Sequence, residues 1–422
     1  MTHLDHAGRP VVAVTGMGVL TSLGEGVEQN WRRLAAGMSG IRRITRFPLN
    51  GLKTAIAATV DFVGPPDQSS ADRSEEMALR VAHEAIAHAG LGETADFPGP
   101  LFLALPPFEL EWQHRLALAA DSGANPVTYA DLIRAAATGR YRHLHRRFEV
   151  GSIAENLATT FGTKGAPIGL TTACASGATA IQLGLEAIRR GETGAALCVG
   201  TESSITAETL IRFSLLQALS TRNDYPETSL RPFNRDRDGF VMGEGAGALV
   251  LESVAHAHAR GMPILGVVEG GGEAADCFHR TRSSPDGKPI IDCIRRAIAD
   301  AGLSAGDIGY INAHGTGTPE NDKMEWLSIA AVFGEPAMSL PVSSNKSMIG
   351  HTLSAAGIVE AVFTLLSLRD GLLPPTIGYE TPDPAIPIDC VPNTARRFAI
   401  RHALSNSFGF GGQIVSLVFG AA

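Results

Sequence analysis

The chain carries one arrangement twice. A Gly-, Ser- and Thr-rich turn leads into an apolar helix at residues 171–177 before 178–190, and again at residues 343–350 before 353–369. Short apolar runs alternate with helically spaced ones around these turns. Strands are expected at 11–16, 195–199, 245–252, 264–268 and 308–312, and helices at 77–89, 253–260, 290–301 and 355–369. This alternation predicts an α/β chain with a mostly parallel sheet covered by helices. The echo predicts an internal duplication, with halves 1–260 and 261–422 divided at Gly261-Met262-Pro263.

Bulk properties narrow the function classes. The 422 residues suffice for two domain-sized halves, and 44% hydrophobic with 18% charged residues supports a large core and excludes global disorder. A net charge of -8 argues against a general nucleic-acid binder. No run of 18 apolar residues suggests a membrane span, and the first residues show no secretory pattern. Five dispersed cysteines without a C-x-x-C pair fit a reducing, cytoplasmic setting better than a disulfide framework, and zinc spacing is absent.

Three segments surround a reactive side chain with small residues. In the first, Cys174 stands before an apolar helix, whose dipole favours thiolate, and its backbone N–H could stabilise an oxyanion. The bland alternative is a buried core cysteine, the reading given to Cys198. In the second, His314 follows a strand and precedes Gly-Thr-Gly-Thr; ligands gather at such strand ends. In the third, His351 opens a helix, where the dipole keeps imidazole neutral and able to donate to an enolate oxygen. By contrast His83, His88, His256 and His258 read as helix-face residues. Lys346 could pair with a carboxylate and hold its turn, with Asp322 and Glu325 as candidate partners or simply a solvated helix face.

Together these residues resemble a known family. From Val12-Ala13-Val14-Thr15-Gly16 through Arg231-Pro232-Phe233-Asn234 and Gly239-Phe240-Val241-Met242-Gly243-Glu244-Gly245 to Asn406-Ser407-Phe408-Gly409-Phe410-Gly411-Gly412, the chain is similar to elongating type II β-ketoacyl-[acyl carrier protein] synthases of the thiolase-like superfamily. The resemblance implies a duplicated, five-layer αβαβα sandwich and a homodimer. It implies that Cys174 receives an acyl chain, that His314 and His351 support decarboxylation of malonyl-[acyl carrier protein], and that Lys346, Glu325 and Asp322 give electrostatic support. Thr316 and Thr318 would bind the phosphopantetheine arm, which arrives on the carrier protein, so no resident cofactor or metal is expected. Phe410 would gate Cys174 and complete an oxyanion hole with its N–H; Phe213 and Phe408 would shape the substrate pocket.

The chain also departs from that pattern. A glycine-rich stretch usually follows the strand near Leu101; here Pro106-Pro107-Phe108 occupies it, so either Phe108 shapes the acyl pocket for an atypical substrate or the stretch is a repacked surface loop. Gln217 stands near a common arginine for the acidic carrier protein, and Arg140, Arg142, Arg146 and Arg147 are the candidate replacement docking cluster. Gln413-Ile414 replaces a common asparagine beside the gate loop. Of the competing readings, a thiolase would need a second catalytic cysteine, and Cys390 lacks a Gly-rich setting. An initiating synthase would have Asn where His351 stands. A non-catalytic chain-length subunit of a hetero-oligomer would lack Cys174. A dinucleotide site fails because Thr21 stands where the third glycine is required.

Overall fold

A computed structural model describes residues 2–92 and 95–422, the side chains of Arg146 and Val150 excepted. The first half contributes strands β1 (Val12–Thr21), β2 (Leu101–Ala104), β3 (Ile168–Leu170), β4 (Ala195–Glu202) and β5 (Gly245–Ser253). The second contributes β6 (Gly266–Ala275), β7 (Tyr310–Asn312), β8 (Val342–Ser343), β9 (His402–Phe408) and β10 (Gln413–Gly420). They lie in one 11-stranded sheet whose main path is β8-β7-β9-β10-β6-β1-β5-β4-β2-β3, with Gly24–Glu25 paired onto β1.

Read outward from the β1–β6 seam, the order is β1-β5-β4-β2-β3 on one side and β6-β10-β9-β7-β8 on the other. The pairing sense repeats as well: antiparallel, antiparallel, parallel, parallel. The seam itself is antiparallel. The sheet is therefore mixed rather than mostly parallel. The reason is local on one side: β9 and β10 are joined by a short hairpin with no intervening helix, which forces antiparallel pairing.

Helices supply the other layers. The central layer is α5 (Ser176–Arg189) and α9 (Ala356–Asp370). Residues 356–368 of α9 are all buried, as expected of a helix enclosed on every side. One cluster joins Ile181 and Leu185 of α5, Ile358 and Val362 of α9, Leu249 and Leu251 of β5, and Val415 and Leu417 of β10. The alternate residues of the same strands face outward. Ala248 and Val250 pack under α1 (Ser70–His88), and Ile414 and Val418 under α7 (Lys288–Asp300).

The two central helices meet at glycine. A Cβ on Gly177 would lie 2.7 Å from the backbone nitrogen of Ile358, and one on Gly357 would strike that of Ala178. That crossing places the start of α5 against the start of α9. Between β2 and β3, helices α2 (Trp112–Ser122), α3 (Tyr129–Ala137) and α4 (Arg142–Phe148) form an insertion. Also used below are α6 (Ala207–Leu215) and α8 (Pro319–Phe333). Among the described residues no helix is long and apolar enough to cross a membrane.

Candidate active site

Cys174 and His314 come from turns at the C-terminal ends of β3 and β7, His351 follows the one-turn helix Lys346–Ile349 after β8, and all three line one cavity of about 310 Å³. Strand ends are where open α/β sheets leave room for ligands. Thr316, Thr318, Phe240, Phe408 and Phe410 line the same cavity.

Cys174 is presented by a strained turn. Ala173 has φ 49°, a left-handed conformation uncommon outside glycine. Ser176 holds that turn: its Oγ accepts from the Thr172 N–H at 2.7 Å and donates to the Ala173 carbonyl at 2.6 Å. Burial pushes the Cys174 thiol up to about 11, although the Phe410 N–H, Lys346 and its own N–H pull the other way. The expected helix-start thiolate is thus overruled in the resting site by desolvation. The two N–H groups directed at sulfur are nonetheless the donor pair an oxyanion would need.

The histidines are buried and held neutral. Burial depresses both well below the usual histidine value, and the Lys346 charge adds to it. Their rings meet edge to face, with centroids 5.3 Å apart. The His351 Nδ1 accepts the Leu353 N–H at 3.3 Å, so the ring proton resides on Nε2. Phe240 packs against His351 at 5.4 Å, and Phe408 against His314 at 5.4 Å. His314 is anchored through its backbone: Glu325 of α8 accepts the N–H groups of His314 (2.8 Å) and Gly315 (2.7 Å), and the Asn406 amide at 3.1 Å. Burial raises the Glu325 carboxyl to about 7.

Lys346 does not pair with either expected partner. It is fully buried and bonds Glu360, in the second turn of α9. Burial raises Glu360 to about 7, with Lys346 opposing the rise. Asp322 instead accepts the N–H groups of Phe233 (2.7 Å) and Gly317 (3.1 Å) and stands 3.7 Å from Arg237. It braces the Gly-Thr-Gly-Thr loop rather than the lysine. Glu360 is one residue that sequence reasoning missed. Its signal was present, since a carboxylate inside the apolar stretch 356–366 must find a buried cation or proton. Glu202, at the end of β4, was missed too; it is buried, accepts from Ser354 Oγ at 2.8 Å and opposes ionisation of Cys174.

Thr316 and Thr318 exchange a hydroxyl hydrogen bond of 2.9 Å, and Thr318 also caps α8. Phe213 stands one layer back, against Phe240 at 5.2 Å, and is not among the cavity-lining residues. Phe108 is elsewhere: it lines a separate small pocket with Glu111, Thr206 and Glu208, so the expected acyl-pocket role has no support in its placement. Of the expected docking arginines on the insertion, Arg140, Arg142 and Arg147 do not line the cavity either. Arg140 pairs with Asp121 at 2.7 Å, and Arg147 pairs with Asp72 at 3.0 Å and with Glu75. Arg142 is exposed, and the Arg146 side chain lies outside the described residues. Among the described residues no group of three His, Cys, Asp or Glu side chains is placed to hold a metal.

Residues 9–257 match the N-terminal domain of β-ketoacyl synthases and residues 265–380 the C-terminal domain. The chain is 37% identical to 3-oxoacyl-[acyl-carrier-protein] synthase 2 of Coxiella burnetii (strain RSA 493 / Nine Mile phase I), over 96% of this chain and 97% of that one. Its structure superposes on a ketosynthase from a type II polyketide synthase, solved in complex with its acyl-carrier protein, with a TM-score of 0.85 at 30% identity, covering 98% of this chain and 100% of the other. A β-ketoacyl synthase from Burkholderia phymatum STM815 gives a TM-score of 0.83 at 32% identity, covering 98% and 99%. The repeated sheet, the enclosed helix pair and a cysteine facing two neutral histidines across one cavity thus have a common explanation: the chain belongs to the β-ketoacyl synthase family.

Proposed function

We propose that this protein is a 3-oxoacyl-[acyl-carrier-protein] synthase that elongates an acyl chain by two carbons. The observation carrying this reading is that Cys174, His314 and His351 share a cavity in which the sulfur faces two backbone N–H groups and both imidazoles are neutral.

In the first half-reaction the Cys174 sulfur attacks an acyl thioester. The N–H groups of Cys174 and Phe410 hold the oxyanion, the carrier sulfur departs, and the thiol proton ends on it. In the second, malonyl thioester loses carbon dioxide and leaves an enolate. Neutral His314 and His351 donate hydrogen bonds to its oxygen. The enolate carbon then attacks the acyl carbonyl on Cys174, the C–S bond breaks as the 3-oxoacyl thioester forms, and the departing sulfur takes a proton from solvent to restore the thiol. Lys346 and Glu360 form a buried pair beside the histidines, while Glu325 and Asp322 hold the loop that carries His314. The phosphopantetheine arm comes on the carrier protein and runs past Thr316 and Thr318; no resident cofactor is called for.

We read residues 1–260 and 261–422 as halves carrying the cysteine and the two histidines respectively. A second copy of the chain completes the assembly as a homodimer, and the five unpaired cysteines suit the cytoplasm. No observation favours the non-catalytic chain-length subunit, which has no use for a cysteine so placed. The test is single-turnover condensation. Acyl-loaded wild type given malonyl-[acyl carrier protein] should release carbon dioxide and a 3-oxoacyl product. His314→Ala and His351→Ala should still load the acyl group but condense about 100-fold more slowly; equal condensation by either variant would remove that histidine from the reaction.

A further inference from the structure

The mouth of the cavity carries two arginines that no other function engages. Arg280 and Arg282 line it together with Gln217, and both are exposed. Among the described residues neither forms an ion pair, whereas Arg140 and Arg147 of the insertion are already matched to carboxylates. Two other carboxyl-bearing residues line the cavity, Asp276 and Glu320. Asp276 is occupied: it accepts the N–H groups of Phe278 (3.0 Å) and Ser284 (2.7 Å) and the Ser284 hydroxyl (2.7 Å). That leaves two arginines against Glu320, a basic mouth on a chain with a net charge of -8.

The segment is also held in place. The Arg280 carbonyl accepts the Gly411 N–H at 2.8 Å, and the Gly412 carbonyl accepts the Asp276 N–H at 2.8 Å, so the arginines sit on a loop fastened to the Phe410 turn beside Cys174. His279 is folded back, its Nδ1 accepting the Thr281 N–H at 3.1 Å. A substrate reaching Cys174 on a phosphopantetheine arm must bring one phosphodiester to the rim of this cavity. Guanidinium groups take phosphate oxygens through charge-assisted, often paired, hydrogen bonds.

We propose that Arg280 and Arg282 form the anion clamp for the phosphate of the phosphopantetheine arm, and so set the depth to which the arm enters. This rests on the condensing function proposed above. Calorimetric titration of the full chain with phosphopantetheine and with pantetheine, which lacks the phosphate, tests it. The wild type should bind phosphopantetheine about tenfold more tightly. The Arg280→Gln, Arg282→Gln double variant should bind the two about equally, with pantetheine affinity unchanged, while Arg140→Gln, Arg147→Gln keeps the wild-type preference. Equal binding of both ligands by the wild type, a preference that survives in the Arg280, Arg282 variant, or one lost instead in the Arg140, Arg147 variant would overturn the assignment. Failure of Cys174 to accept any acyl thioester would defeat the condensing function separately, leaving the phosphate preference to stand or fall on the titration.

Discussion

Cys174 shows how burial and chemistry oppose each other at a single residue. Its sulfur sits at a helix start with two N–H groups directed at it, yet desolvation holds it as a thiol with its titration pushed up to about 11. The sign follows directly: below that value the neutral form dominates, so the reactive thiolate fraction grows as pH rises. The alkylation rate of Cys174 by iodoacetamide should therefore keep climbing between pH 7 and 10, by about tenfold per pH unit. A plateau reached by pH 8 would show a depressed thiol instead. The cysteine and both histidines were legible in the sequence because each stands in a run of small residues at a predicted element boundary. The partner of Lys346 was not. Asp322 and Glu325 lie closer to the neighbouring His314 in sequence, but their oxygens are taken by backbone N–H groups of the Gly-Thr-Gly-Thr loop, and the free carboxylate comes from α9.

At the scale of elements, the site depends on how closely α5 and α9 approach. Gly357→Ala puts a methyl into the backbone of Ala178 and should lower stability by about 1–3 kcal/mol, seen as a reduced thermal midpoint. Gly151→Ala, whose Cβ meets nothing within 4 Å, should leave the midpoint unchanged or raised. Equal midpoints for wild type and Gly357→Ala would mean that the crossing is loosely packed. Strands β1, β4, β5, β6 and β7 and helices α1, α5, α7 and α9 were foreseeable from periodicity. The mixed pairing was not, because strand-helix alternation hides the β9–β10 hairpin, which contains no helix. The helices of the insertion were not foreseen either: the proline- and aromatic-rich stretch lies just before them, and Arg140, Arg142, Arg146 and Arg147 stood out only as a charge cluster. Of the residues in α2 only Leu118 is buried, so the helix lacks the apolar stripe that periodicity detects.

For the whole molecule, the two ends of the sheet differ. β8 is fully buried, whereas β3 is an open edge with Ile168 45% exposed. Open apolar edges invite another strand, and a second copy related by a two-fold axis would cover both at once. Wild type should sediment as a dimer and Ile168→Glu as a monomer. A monomeric wild type would contradict the proposed assembly. The duplication itself was visible as two similar turn-helix segments, but the matching order of five strands on each side of the seam could not be read from spacing, since the linkers between them range from a hairpin to a segment of four helices.

The central claim is that Cys174 carries the growing chain. Intact mass after incubation with a panel of acyl-[acyl carrier protein] thioesters tests it most directly. Wild type should gain the mass of one acyl group while Cys174→Ala gains none, and the acyl chain that loads best names the substrate. Folded wild type that gains no acyl mass from any thioester, or a Cys174→Ala variant that loads equally well, would contradict the account.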